Sequence, residues 1–213
     1  MNIDFWAQRW KEGRIGFHEG RTNAFLERHV GELGPAPRRV LVPLCGKTED
    51  MAFLASAGHS VVGVEAVEDA ARTFFHEHGL APEVSARGER VRAYAAGRVT
   101  ILVGDVFTVT PTVVGAVDAL YDRAALVALP APDRVRYVAL VRQLLAPGSR
   151  GLLVSCEYDT SRAEPPPHSV TEDEIRSLYA DARITRIDEG VLENARLHDA
   201  GADAIERCYR IEL

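Results

Sequence analysis

Arg39-Val40-Leu41-Val42-Pro43-Leu44-Cys45-Gly46-Lys47, followed nineteen residues beyond Gly46 by Glu65 at the close of Val61-Val62-Gly63-Val64, is the stretch that decides the fold class. A short apolar run enters a glycine-bearing loop, a segment of helical spacing follows, and a second apolar run ends in an acid. This is the strand, helix and strand of a Rossmann-like nucleotide site. The glycine lets backbone approach the ligand, and the acid closing the second strand can accept both ribose hydroxyls. Glu65 is therefore the candidate ribose clamp. The loop is not GxGxxG, so hydride transfer on a nicotinamide cofactor lacks its fingerprint. Lys47-Thr48 after Gly46 suggests a phosphate loop, but the glycine that such a loop needs further upstream is replaced by apolar residues, which argues against ATP and GTP.

Outward from this core the same alternation continues. Arg39–Cys45, Ser60–Glu65, Val99–Gly104, Val117–Tyr121 and Gly151–Cys156 read as strands, and Thr48–Ala57, Val67–Glu77 and Pro132–Leu145 as helices that stop before Gly58, Gly79 and Pro147-Gly148. A turn-rich stretch, Ser161–Ser169, carries three consecutive prolines. A further helix opens at Thr171, with Glu174 three residues on in a capping box. Ile184–Glu189 and Ala204–Leu213 bring the expected strands to seven. Ile3–Trp10 and Ala24–Val30 read as two short helices ahead of the sheet. The expectation is an α/β chain with a Rossmann-like, seven-stranded, mostly parallel sheet, helices on both faces, and a single domain over 1–213 in which residues 1–35 form a helical cover.

Bulk properties narrow the partners. The chain has 213 residues and a formal net charge of −6, which disfavours a sequence-independent hold on nucleic acid and favours a small-molecule ligand. Its three cysteines, Cys45, Cys156 and Cys208, form no CxxC pair, so no disulfide framework is expected. The N-terminus lacks the pattern of a signal peptide, and no run reaches the length of a membrane span. The reading is of a cytoplasmic protein, with a monomer as the default. His76 and His78 are two apart and point to different helix faces, so no metal site is expected; no GxSxG elbow is present. Only two of the 25 basic residues, Lys11 and Lys47, are lysines, so an arginine is informative only where its context is unusual.

That context exists. Pro43-Leu44-Cys45-Gly46-Lys47-Thr48-Glu49-Asp50-Met51 resembles the signature loop of the thiopurine S-methyltransferase family, class I S-adenosylmethionine-dependent methyltransferases, in its bacterial type. Trp10-Lys11-Glu12-Gly13-Arg14-Ile15-Gly16-Phe17-His18 resembles the family's N-terminal segment; Gly63-Val64-Glu65 and Gly104-Asp105-Val106-Phe107 fall at the expected places, and Tyr121-Asp122-Arg123-Ala124-Ala125-Leu126-Val127-Ala128-Leu129-Pro130 is the most specific block. The resemblance runs from about residue 4 to the C-terminus. It implies S-adenosylmethionine as cofactor, S-adenosylhomocysteine as its product, and a small thiol, selenium or tellurium nucleophile as acceptor.

Laid on this chain, the resemblance implies that Trp6, Trp10 and Phe17 pack around the cofactor, that Leu44 touches its methionine portion, and that Asp105 and Val106 border the adenine. Arg123 would lie between cofactor and acceptor as the catalytic residue, with Phe17 and Arg196 completing the acceptor site. Plainer readings stand beside these. Trp6 and Trp10, four apart, also fit an apolar stripe of a helix; Leu44 and Val106 fit any core; Arg123 could pair with Asp122 or Asp105 on a solvated rim; Arg196 fits a surface charge. Cys45 is given no role, because buried cysteines are usually inert. Methyl transfer from a sulfonium needs chiefly alignment and exclusion of water, so the sequence's lack of an obvious acid–base dyad agrees with it. A non-catalytic S-adenosylmethionine sensor is the alternative from another class.

Overall fold

The computed structural model describes residues 3–16 and 18–213. Nine strands make one sheet: β1 (Arg39–Pro43), β2 (Ser60–Glu65), β3 (Glu83–Ala86), β4 (Arg92–Ala96), β5 (Val99–Val103), β6 (Val117–Arg123), β7 (Leu145–Glu157), β8 (Arg183–Val191) and β9 (Ile205–Glu212). Among the described residues eight α-helices accompany them: α1 (Ile3–Lys11), α2 (Ala24–His29), α3 (Glu49–Ser56), α4 (Glu68–Glu77), α5 (Pro111–Val114), α6 (Ala131–Leu144), α7 (Glu172–Leu178) and α8 (Ala195–Asp199). The order across the sheet is β3-β4-β5-β2-β1-β6-β7-β9-β8. Strands β5, β2, β1, β6 and β7 run parallel; β9 inserts antiparallel between β7 and β8.

All seven expected strands are present, so the expected class holds, with a correction to the count. The added pair is the antiparallel hairpin β3 and β4 at the β5 edge. Its first strand, Glu83-Val84-Ser85-Ala86, is exposed throughout and its second is half alanine-rich, so neither shows the apolar alternation that marks a strand. Both are held by the ladder onto β5, an interaction between distant segments.

The parallel strands carry apolar side chains on both faces, as a sheet covered twice must. Leu41, Val62, Leu120 and Leu153 join Tyr137, Val138 and Val141 of α6 and Ile175 of α7 in one core layer. Val40, Val42, Val61 and Tyr121 meet Leu26 of α2, Met51 and Leu54 of α3 and Phe74 of α4 in the other. The helix starts are capped locally: the side chains of Thr48 and Thr171 accept from Asp50 N and Glu174 N. No helix among the described residues is long and apolar enough to cross a membrane. His78 is half-buried, stacked on Phe74 and hydrogen-bonded to Glu49.

One core acid makes stability depend on pH. Asp122 is fully buried, accepts the Tyr137 hydroxyl at 2.6 Å and Leu126 N at 3.1 Å, and is pushed up to about 6 by burial, against the pull of those hydrogen bonds. Its folded value lies above its unfolded one, so its contribution is present below the ordinary carboxylate range and is lost as pH rises through about 6. Tyr137→Phe deprives the carboxylate of a donor and pushes it further up. We expect it to lower unfolding free energy by about 1–3 kcal/mol at pH 8 and by less at pH 5, measured by urea denaturation at both. An equal loss at the two pH values would mean that the hydroxyl acts through packing alone.

Candidate active site

The sheet reverses its winding between β1 and β6, and in an open parallel sheet the crevice at such a switch lies beyond the carboxyl ends of the strands. A cavity of about 450 Å³ opens there, within the usual size for a small-molecule site. Leu44, Gly46, Glu65 and Ala66 form its wall on the β1–β2 side; Tyr121, Arg123, Cys156 and Glu206 form it on the β6–β7–β9 side.

The loop after β1 is shaped by backbone conformation. Leu44 and Gly46 have φ of 47° and 52°. Gly46 meets that conformation without a side-chain penalty, and its bare Cα also admits Trp10, whose ring lies 3.2 Å from where a Cβ would stand. Leu44 has no such freedom. The other described non-glycine residue at positive φ is Ala124, at 66°, directly after Arg123. Both line the cavity. Strained backbone held at the two strand ends that face one cleft is the pattern of a functional site. Beneath the loop, a Cβ on Gly63 would lie 2.6 Å from the Cys45 sulfur and 3.0 Å from that of Met51, so the loop seats against β2 only because residue 63 is glycine.

Glu65 links the two strand ends. One carboxylate oxygen accepts Gly46 N at 2.8 Å and the other accepts Val67 N at 2.8 Å. Burial pushes its carboxyl up, while the backbone donors pull it down. Each oxygen keeps acceptor capacity toward the cavity, so the donor set fits a ligand that presents a vicinal diol above Gly46. Lys47, in the phosphate-loop position, is turned to Glu77 at 2.5 Å, and the Cys45 thiol is pushed well up by burial and by Glu65, which leaves it no nucleophilic thiolate.

The N-terminal segment forms the roof. Trp6 and Trp10 project from α1 onto the cavity with Arg9 between them, although no residue of α1 is fully buried. Two of the ties that hold the segment down lie at the cavity. Asn23 N donates to Asp50 at 2.7 Å, and Asp50, itself fully buried, also accepts the Tyr121 hydroxyl at 3.0 Å. Glu19 pairs with Arg123. Burial works to lower the Arg123 guanidinium, but Glu19, Tyr121, Asp50 and Glu206 outweigh it and hold it above its ordinary value. The rim pairing of Arg123 with Asp122 or Asp105 is not what forms: Asp122 turns into the core.

The other expected residues divide. Arg196, on α8, is on the cavity wall, and its guanidinium donates to the carbonyls of Glu164 and Pro166 at 2.8 and 2.7 Å, fastening the proline stretch whose Pro166 and Pro167 complete that wall. Asp105 and Val106 are not on the wall: Val106 is buried in the core, and Asp105 accepts Phe107 N at 3.0 Å as a helix cap. Phe17 lies outside the described residues. Sequence reasoning missed Glu19, Asp50, Tyr121 and Glu206. Glu19, Asp50 and Glu206 are acids in ordinary loop, helix and strand contexts, and Asp50 and Tyr121 enter only as members of motifs; nothing in local spacing shows that the four converge.

The family model for thiopurine S-methyltransferase matches residues 1–212. The chain belongs to the thiopurine S-methyltransferase family. Among curated relatives, thiopurine S-methyltransferase of Azotobacter vinelandii is 43% identical over 217 residues, covering 100% of this chain and 99% of that one. Among solved structures, the 1,6-didemethyltoxoflavin-N1-methyltransferase of Burkholderia thailandensis, with bound 1,6-didemethyltoxoflavin and S-adenosylhomocysteine, superposes with a TM-score of 0.63 at 19% identity, covering 98% of this chain and 86% of that one. Magnesium protoporphyrin IX methyltransferase of Synechocystis, with bound S-adenosylhomocysteine, gives 0.66 at 13% identity, over 99% and 97%. These structural likenesses speak for the fold, which is that of the class I S-adenosylmethionine-dependent methyltransferases. Membership of the thiopurine S-methyltransferase family makes the chain an enzyme, a methyltransferase that uses S-adenosylmethionine, and the non-catalytic sensor finds no support.

Proposed function

We propose that the cavity between Glu65 and Glu206 binds S-adenosylmethionine on its β1–β2 side and a small thiol on its β6–β7–β9 side, and that methyl transfer runs between them past Arg123. The observation that carries this reading is the Gly46–Glu65 hydrogen bond at the cavity wall beneath Trp10: it sets a carboxylate and bare backbone together where a nucleoside would sit. Glu65 accepts the ribose hydroxyls. Leu44 lies against the methionine portion, and Trp6 and Trp10 close over the ligand and keep water out. Asp105 and Val106 support the adenine side from behind the wall.

Bound there, S-adenosylmethionine supplies an electrophilic methyl group on a sulfonium. The protein's own part is alignment, which by itself is worth up to about 7–11 kcal/mol of the barrier in well-oriented systems. Arg123, cationic and half-enclosed by Glu19, donates to the acceptor's sulfur or to a water beside it and favours its anionic form. Arg196 holds the proline wall that faces the acceptor. The net charge of −6 supports a diffusible small molecule over nucleic acid, and the reading is of a monomer acting in the cytoplasm.

The test has two arms. Calorimetry with S-adenosylhomocysteine should give one site per chain. Incubation with methyl-labelled S-adenosylmethionine and 2-nitro-5-thiobenzoate or 6-mercaptopurine should yield a labelled thioether. Binding without transfer to any thiol, selenite or tellurite would sink the proposal.

A further inference from the structure

Glu206 belongs to none of the motifs that mark this family in the sequence, yet it stands on the wall of the cavity. Its position follows from strand register. Arg123 pairs with Val154 across β6 and β7, and Val154 pairs with Cys208 across β7 and β9; Glu206 lies two residues along β9 from Cys208 and opposite Cys156. Alternation of side chains puts Arg123, Val154, Cys208 and Glu206 on one face of the sheet. With strands about 4.8 Å apart, β9 is roughly 14 Å from β1, so Glu206 is remote from Gly46 and Glu65 and sits in the acceptor half of the cavity.

Its surroundings are unbalanced. Among the described residues the Glu206 carboxylate forms no hydrogen bond or ion pair, whereas that of Glu19 is taken by Arg123 and that of Asp50 by Asn23 N and the Tyr121 hydroxyl. The charged groups that act on it are Arg123 at the end of β6, Glu19 from the roof and Asp50 from α3. Burial first, and then the two other acids, push it up to about 7, against the pull of Arg123. The neighbouring thiols of Cys156 and Cys208 are pushed up to about 12, so neither titrates near neutrality. Three acids around one guanidinium suit an acceptor that brings a hydrogen-bond donor.

We propose that Glu206 is a catalytic carboxylate of the acceptor half-site, which selects heteroaromatic thiones bearing a ring N–H beside the carbon–sulfur bond and takes that proton. The inference rests on the proposed methyl transfer in this cavity. In the step, the acceptor's N–H bond breaks and its proton passes to a Glu206 oxygen. The electron pair left on nitrogen shifts through the ring to sulfur, which forms the bond to the methyl carbon as the carbon–sulfonium bond breaks and returns its pair to the donor sulfur. Protonated Glu206 then releases the proton to water as product leaves. Such a base matters for a thione, whose sulfur is a weak nucleophile until the ring loses its proton; it is superfluous for an aryl thiol already ionised in water.

Glu206→Gln keeps the shape and removes the base. It should lower kcat/KM for 6-mercaptopurine about 100-fold below about pH 7, the lower end of what a positioned general base contributes, and the loss for 2-nitro-5-thiobenzoate, an acidic thiol with no ring N–H, should be at least about tenfold smaller. The ratio of wild-type to variant kcat/KM for 6-mercaptopurine should fall as pH rises through about 7, because the variant can use only acceptor already ionised in water, whereas wild type consumes the N–H form through ionised Glu206. Glu206→Asp should recover part of the loss, and S-adenosylhomocysteine affinity should not change. A ratio independent of pH, or a parallel fall for both acceptors, overturns the assignment. Wild-type enzyme that transfers methyl to neither thiol instead overturns the functional reading beneath it.

Discussion

Glu65→Ala is expected to weaken S-adenosylhomocysteine binding by about 10²–10⁴-fold and to bring methyl transfer below detection at ordinary cofactor concentrations. Two ribose hydroxyls donating to a buried carboxylate are worth about 1.5–3 kcal/mol each, and each 1.4 kcal/mol is tenfold in affinity. The same substitution strips the acceptors from Gly46 N and Val67 N, so the loop after β1 loses its side-chain tie to β2 and the turn after β2 loses its own. Glu65→Gln separates the two effects. Its amide oxygen still accepts one backbone N–H, but its NH₂ faces the other as donor against donor. It should therefore lose affinity to a similar degree while unfolding closer to wild type in urea. Calorimetry with S-adenosylhomocysteine is the measurement, and wild-type affinity in Glu65→Ala would remove this carboxylate from the cofactor site.

Arg123→Ala is the second large effect, and it should appear in the rate rather than in the cofactor affinity. Removing a preorganised donor from a developing or resident anion costs about 10²–10³ in kcat/KM. Here the loss is compounded because Arg123 is the cation that Glu19 engages and that draws down Glu206. Without it the acceptor sulfur meets the acids alone. Arg123→Lys should recover only part of the activity, since an ammonium cannot present the planar fork that bridges Glu19 and an acceptor together. Thiol methylation followed beside S-adenosylhomocysteine affinity and urea unfolding makes the check: a rate that falls only in step with affinity or stability would assign Arg123 a role in holding the roof instead of one in chemistry.

Much of this architecture is legible in the sequence. Val40–Val42, Val61–Val64, Val117–Leu120 and Leu152–Val154 are runs that bury on both faces, and only a doubly covered sheet accepts them. The stop signals at Gly58 and Gly79 and the capping box at Thr171 are local chemistry, so the helices they bound appear where expected. Gly46 and Glu65 carry their meaning in spacing alone, because a strand, a turn and a helix consume a nearly constant length of chain. The hairpin β3 and β4 was not legible, since its strands are created by pairing onto β5 and not by their own pattern.

The sequence by itself determined the sheet, its cover of helices, the family and the carboxylate that closes the second strand, all of which depend on interactions between near neighbours or on a motif read in order. Tertiary structure alone decided that Glu19 reaches across to Arg123, that Asp50 anchors the roof, that Asp122 turns inward and that Glu206 stands on the cavity wall. Residues 19, 50, 123 and 206 are brought into one cavity by the crossing of the sheet at its switch point and by the insertion of β9. Electrostatic environment is a property of distance and burial in space, and separation along the chain carries no record of either.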